Sequence, residues 1–278
     1  MTMLLVKSHV KGYVKKDGTV VKDHETRVSK KVVAPQFGKP AAHQFGLFGG
    51  SFGFLGGALK KPTEPKAYHP GKDDEGKSVG ILHPHADSDR ASWKAGGTVT
   101  VTPGGRTPAS LNGVKLAPWG NAPKSDDEWA DVDGQADLPD EPDLLVPFGK
   151  KAATGIIILE PDGRAWVVCP TNGFGGYKNT FPKGKLEDSL PLQANAIKEC
   201  FEESGLQVEI DSYLGDLERT TSMTRYYIAR RVGGTPAAMG WESQAVQLVP
   251  VRSLVDHMDA KLDKLVAGWI DSLAPDAT

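Results

Sequence analysis

The chain has 278 residues, 39% hydrophobic and 24% charged, with a formal net charge of −2. Its length allows one large domain, or one ordinary domain with extra segments. No run of eighteen apolar residues occurs, so no membrane-spanning helix is expected, and "MTMLLVKSHVKGY" is too short an apolar stretch for a secretory signal. Two cysteines, Cys169 and Cys200, provide neither a disulfide framework nor a metal-ligand spacing, and a reducing cytoplasm is the expected location.

The charge is uneven. Residues 1–61 carry eleven Lys or Arg against three acids; residues 124–143 carry nine acids and one lysine. The basic arm is read as a solvated segment, with a polyanion such as nucleic acid, or a protein, as its candidate partner. "VKGYVKKDGTVV" suits a small hairpin about Lys16, Asp17 and Gly18. "HQFGLFGGSFGFLGG", residues 43–57, is a Gly-aromatic run whose glycines disfavour a helix.

"GKDDEGKS", Gly71 to Ser78, fits the letters of a phosphate-binding loop. It lacks the preceding hydrophobic strand and following helix, and Asp73, Asp74 and Glu75 would repel phosphate. His83, His85, Asp87 and Asp89 read as a polar loop without a flanking ligand cluster. "GGTVTVTPGGRTPASLNGVKLAPW" predicts short strands between turns. "KSDDEWADVDGQADLPDEPD" predicts an acidic, unordered linker, since it holds little apolar surface to bury. The expected division is therefore an irregular Gly/Pro-rich region at 1–123, a linker at 124–147 and a domain at 148–278.

From Phe148 the pattern sharpens. "ATGIIILE" and "GRAWVVCP" predict paired strands around Pro161, Asp162 and Gly163, and "SMTRYYIARR" and "SQAVQLVPV" predict two more. Tyr226 and Tyr227 are candidates for stacking on a base, with the core as the alternative. Leu254, Met258, Leu262, Leu265, Trp269 and Leu273 recur at helical spacing, predicting a single closing helix. These strands and two helices indicate an α/β or α+β domain. Between them, "AIKECFEESG" predicts a helix capped by Ser189, with Pro191 in its first turn and Gly205 at its left-handed end. Glu199, Glu202 and Glu203 share one side of it and Ile197, Cys200 and Phe201 the other. Like charges at this spacing repel. A solvated surface accounts for such a face; so does a hard divalent cation.

"GKLEDSLPLQANAIKECFEESGL", Gly184 to Leu206, resembles the signature box of the Nudix hydrolase family, G-x5-E-x7-R-E-U-x-E-E-x-G-U. Gly184, Glu199, Glu202, Glu203, Gly205 and Leu206 are in register, and Cys200 stands in for the aliphatic U. Leu190 replaces the first Glu and Lys198 the Arg; Glu187 or Asp188 is a candidate new partner for Lys198. The resemblance covers about residues 148–274. It implies a Nudix-like α/β/α sandwich with a mixed sheet and hydrolysis of a nucleoside diphosphate linked to another moiety. It implies Mg²⁺, or Mn²⁺, held by Glu199, Glu202 and Glu203 with the Gly184 carbonyl. Glu242 in "MGWESQAV" sits where many members place a further metal-binding or basic carboxylate. "FPKGKLE" has the P-K-G form of branches acting on dinucleoside polyphosphates, diphosphoinositol polyphosphates and capped RNA. Lys183 and Arg225 would then face phosphate. The altered Leu190 and Lys198 raise the alternatives of a weakened domain acting as a nucleotide sensor, or of docking through the basic N-terminal region.

Overall fold

The structure is a computed structural model that describes residues 4–10, 13–14, 20–21, 24–30 and 64–273. The chain divides into two compact units, Met1–Lys61 and Pro62–Thr278. In the first unit, β1 (Leu4–Val10) pairs antiparallel with β4 (His24–Lys30), and β2 (Tyr13–Val14) with β3 (Val20–Val21). The expected hairpin is thus found in longer form. Its Lys16–Gly18 turn and the Gly-aromatic run at 43–57 lie outside the described residues.

The second unit begins with a hairpin, β5 (Ala67–Lys72) and β6 (Ser78–Ile81), followed by β7 (Val99–Val101) and a small hairpin of β8 (Ser110–Leu111) and β9 (Val114–Lys115). Gly71–Ser78 spans the end of β5, the turn and the start of β6, with no helix following, so it is not a phosphate-binding loop. The polar-loop reading also holds for Asp87 and Asp89. Asp87 accepts from Thr102 N and Asp89 from Ser92 N.

A mixed sheet forms the centre of this unit. Its strands are β10 (Lys151–Leu159), β11 (Arg164–Pro170), β12 (Lys183–Lys185), β13 (Leu206–Glu218), β14 (Ser222–Gly234) and β15 (Ser243–Pro250). The order is β13-β14-β10-β11-β15-β7, with β12 on β10; β10 and β14 are parallel and the other pairs antiparallel. Strand side chains alternate between faces. Ile156, Ile158, Trp166, Val168 and Tyr227 pack toward α2 (Leu192–Ser204), whereas Ile157, Ala165, Val167 and Tyr226 pack toward α3 (Leu254–His257) and α4 (Lys261–Asp271). The result is the expected α/β/α sandwich. Both tyrosines are fully buried, so the core reading of them stands.

Three local expectations change. The closing helix is two helices, broken where Met258 is extended (ψ 138°). Leu265 and Leu273 are exposed, and Val266, Ala267 and Ile270 supply the buried face instead. The sheet selects the face with the short, close-packing side chains, which shifts the register by about one residue. Ser189 does not cap α2: Pro191 is the cap residue, without a side-chain cap bond, and Ser189 Oγ donates to Asp126. Gly205 does adopt the left-handed conformation (φ 69°).

The acidic linker is not unordered. α1 (Asp126–Ala130) is capped by Ser125, and Trp129 and Val132 are buried. Trp119 and Trp129 enclose Phe201 of α2 at centroid distances of 5.2 and 5.9 Å. Trp129 supplies apolar area that an average over the acidic stretch hides, and Trp119 just before the stretch packs beside it; burying an aromatic side chain contributes about 1.5–3 kcal/mol. The strand expectation for 96–119 holds, and β7 extends the sheet itself.

Candidate functional site

β12 and α2 build the site together. β12 runs antiparallel to β10 with Gly184 opposite Thr154. There it approaches α2 so closely that a Cβ on Gly184 would overlap the Glu199 carboxylate. Glycine at this position leaves room for the Glu199 carboxylate against the β12 backbone; a larger residue would have to displace that side chain. One residue earlier, Lys183 N donates to Glu203 Oε2 at 3.0 Å. The apolar side of the helix, with Ala196, Ile197 and Cys200, is buried, so the glutamate side is left outside the packed layer.

Burial and mutual repulsion both act on these acids. Glu199 is pushed up to about 9, by burial first and then by the charges of Glu203, Glu202 and Glu242. Glu203 is pushed up to about 8, again mainly by burial, against the opposing charge of Lys183. Glu242, just before β15, is raised by burial and by Glu202 and Asp74. It thus stands within electrostatic reach of the helix.

The cations differ in what is left free. Lys198 Nζ contacts Glu187, the partner anticipated from the sequence, and Glu202 Oε1 at 3.1 Å. Burial opposes its charge, but these acids hold it above its ordinary value. Leu190 has joined the hydrophobic core instead of serving a polar pair. Lys183 Nζ donates to Thr180 Oγ1 at 2.7 Å and sits over the Tyr177 ring at 4.6 Å. Burial lowers its pKa, and the charge of Glu203 opposes that shift.

Arg225 corrects the sequence reading. It is 1% exposed, with Nε and Nη2 donating to Asp216 and Nη1 to Glu141, all at 2.8 Å, so it does not face a phosphate. The alternation that places Tyr226 inside one face sends Arg225 to the other, where the supposed linker supplies Glu141. That acid also accepts from Tyr227 Oη at 2.6 Å.

Sequence reasoning missed the loop that joins the site to the N-terminal hairpin. Thr171 N donates to Glu242 O at 2.7 Å, and Thr171 Oγ1 donates to Trp241 O at 2.8 Å. The next residue, Asn172, donates to Gly80 O and accepts from Leu82 N, both at 2.8 Å. Trp241 Nε1 donates to Asp74 Oδ1 at 3.2 Å. Nothing in the local sequence signals this pairing, which spans more than 160 positions.

The residues suit a hard cation in kind: the donor set is all carboxylate and carbonyl oxygen, and the Gly184 notch opens onto Glu199. Among the described residues, no three such side chains converge as an ion requires. Holding one would require the carboxylates to turn inward, as repelling acids do once a cation offsets their charge.

A mixed sheet lies between helices and bears an acid face beside a glycine notch. Residues 149–270 match the model of the NUDIX domain. That segment, a little under half of the chain, is similar to NUDIX domains. Among solved structures, a NUDIX hydrolase from Nitrosomonas europaea is similar at 17% identity, covering 45% of this chain and 72% of its own, with a TM-score of 0.39. An ADP-ribose pyrophosphatase from Streptococcus suis 89-1591 is similar at 19% identity, covering 45% and 93%, with a TM-score of 0.37. No curated protein matches the chain.

Proposed function

We propose that this domain hydrolyses a diphosphate bond in a nucleotide-linked substrate, with divalent cations, Mg²⁺ or Mn²⁺, held by Glu199, Glu202, Glu203 and the Gly184 carbonyl. The observation that carries the reading is the close approach of β12 to the glutamate helix, where the Gly184 backbone lies against the Glu199 carboxylate and Lys183 N donates to Glu203 Oε2 at 3.0 Å. Bound cations would neutralise phosphate charge and lower the pKa of water. Glu242 accepts the proton of the attacking water, for which burial and neighbouring acids already raise its affinity. As the new P–O bond forms, the bridging P–O bond breaks and its oxygen leaves with the second phosphate. Lys183 holds a phosphate oxygen; its ammonium lies beside the acids on the strand that carries Gly184. The Pro182-Lys183-Gly184 sequence favours a dinucleoside polyphosphate-like substrate.

The test is turnover of a panel of nucleoside diphosphate derivatives with Mg²⁺, beside thermal unfolding with and without the ion. Glu202→Gln and Glu203→Gln keep the side-chain shape and lower turnover by about 10²-fold, and Mg²⁺ stabilises the parent more than either variant. Equal stabilisation and unchanged turnover would reduce the face to surface charge.

A further inference from the structure

We propose that Tyr177 and Thr180, backed by Arg219 and Asp263, are positioning residues that hold the Lys183 ammonium clear of the neighbouring acids, so that its charge stays available to a substrate phosphate. The inference rests on the phosphate role given to Lys183 above. Lys183 is bracketed by carboxylates. Its own backbone N–H donates to Glu203, and the next residue, Gly184, lies against Glu199. Yet among the described residues its Nζ makes no ion pair. Its partners are neutral: the Thr180 hydroxyl at 2.7 Å and the face of the Tyr177 ring at 4.6 Å. A lysine closed onto a carboxylate would have spent its charge. One held by a hydroxyl and an aromatic face keeps it, because the ring attracts the cation without neutralising it.

Both holders are fixed from behind. Thr180 exchanges two backbone hydrogen bonds with Val168 of β11, each at 2.9 Å. Tyr177 Oη accepts from Arg219 Nη1 at 3.3 Å. Arg219 lies in the turn between β13 and β14, is 7% exposed, and donates through Nη2 to Asp263 of α4 and to Tyr226 Oη. Asp263 is fully buried, and its charge offsets the repulsion between the guanidinium and the Lys183 ammonium. The two residues between the holders are tied to the closing helical pair. Lys178 N donates to Asp259 Oδ1 at 3.2 Å, and Asn179 Nδ2 donates to His257 O at 3.0 Å. The C-terminal helices thus set the position of the lysine through residues 177–180.

The test measures kcat and KM of the full chain for diadenosine tetraphosphate with Mg²⁺, beside thermal unfolding of each variant. Tyr177→Leu removes the ring and should raise KM about tenfold, with kcat within about twofold of the parent. Tyr177→Phe keeps the ring and should stay within about threefold in KM. Thr180→Val removes the other holder at nearly constant shape and should also raise KM; it decides the matter if Tyr177→Leu does not fold. Tyr177→Leu combined with Lys183→Ala should raise KM no further than Lys183→Ala alone, since the ring acts through the lysine. By NMR, the Lys183 ε-methylene protons should be shifted upfield by the ring in the parent and in Tyr177→Phe, but not in Tyr177→Leu. Additive effects in the double variant overturn the proposal. So does an unmoved KM in folded Tyr177→Leu and Thr180→Val while Lys183→Ala raises it, and the phosphate role of Lys183 then stands. If Lys183→Ala leaves KM unmoved, or the parent does not turn over diadenosine tetraphosphate, both fall.

Discussion

Asp216 and Glu141 meet the guanidinium of Arg225 at 2.8 Å each, whereas Glu199, Glu203 and Glu242 crowd together with Lys183 and Lys198 as their neighbouring cations. The first set is close to electrically complete. Every arm of the guanidinium has a carboxylate, and Tyr213 lies beneath it at 5.0 Å. Burial and mutual repulsion raise the pKa of each acid in the second set. Compensated charge of the first kind fixes a structure in place; uncompensated charge of the second kind invites a ligand. Arg231 belongs to the first kind. It meets Glu160 at 2.6 Å and donates to Leu111 O at 2.9 Å, fastening the β8–β9 hairpin to the sheet.

The largest expected effect breaks the compensated set. Arg225→Ala leaves Asp216 and Glu141 facing each other and destabilises the protein by about 3 kcal/mol, the low end for a buried pair because both acids are partly exposed. Urea unfolding should show a lower midpoint. A loss of substrate affinity with unchanged stability would restore Arg225 to the phosphate role. Lys183→Ala should act in the opposite way. Michaelis constants rise about tenfold, worth about 1.4 kcal/mol, while metal affinity changes little. Reduced metal affinity with an unmoved Michaelis constant would count against it.

The smallest effect concerns pH. Glu199 and Glu203 titrate near 9 and 8 in the folded, metal-free protein, well above their unfolded values. The folded state therefore binds more protons between roughly pH 4.5 and 9, and its stability falls as pH rises through that window. Melting temperature should decline by a few degrees from pH 5 to pH 9 without metal. Added Mg²⁺ displaces those protons, so its stabilising effect should grow over the same range. A pH-independent Mg²⁺ effect would mean the ion binds elsewhere.

The glutamate helix was legible because its spacing is local. One apolar side, one acid side and a glycine stop lie within a few turns, and the strands 153–160 and 163–170 are continuous apolar runs buried on both faces. β13 was overlooked although Leu206, Val208 and Ile210 alternate at its start; beyond Ile210 the pattern loosens and β-bulges shift its register. Arg225 was misjudged because its position on a strand is readable but its partners are not. Glu141 is 84 residues away, in a segment that composition alone would leave unordered.

Helical period and motif spacing depend only on near neighbours, so the domain class, the acid face and the glycine beside it can be read directly from the chain. The tertiary structure decided which charges are spent and which remain. It docked the acidic segment through Trp129 and Glu141, added β7 to the sheet edge and set Asp74 beside Trp241. Those outcomes depend on long-range contacts whose free energy comes from burying tryptophan and pairing charge across the fold, and no local pattern encodes who the partner will be.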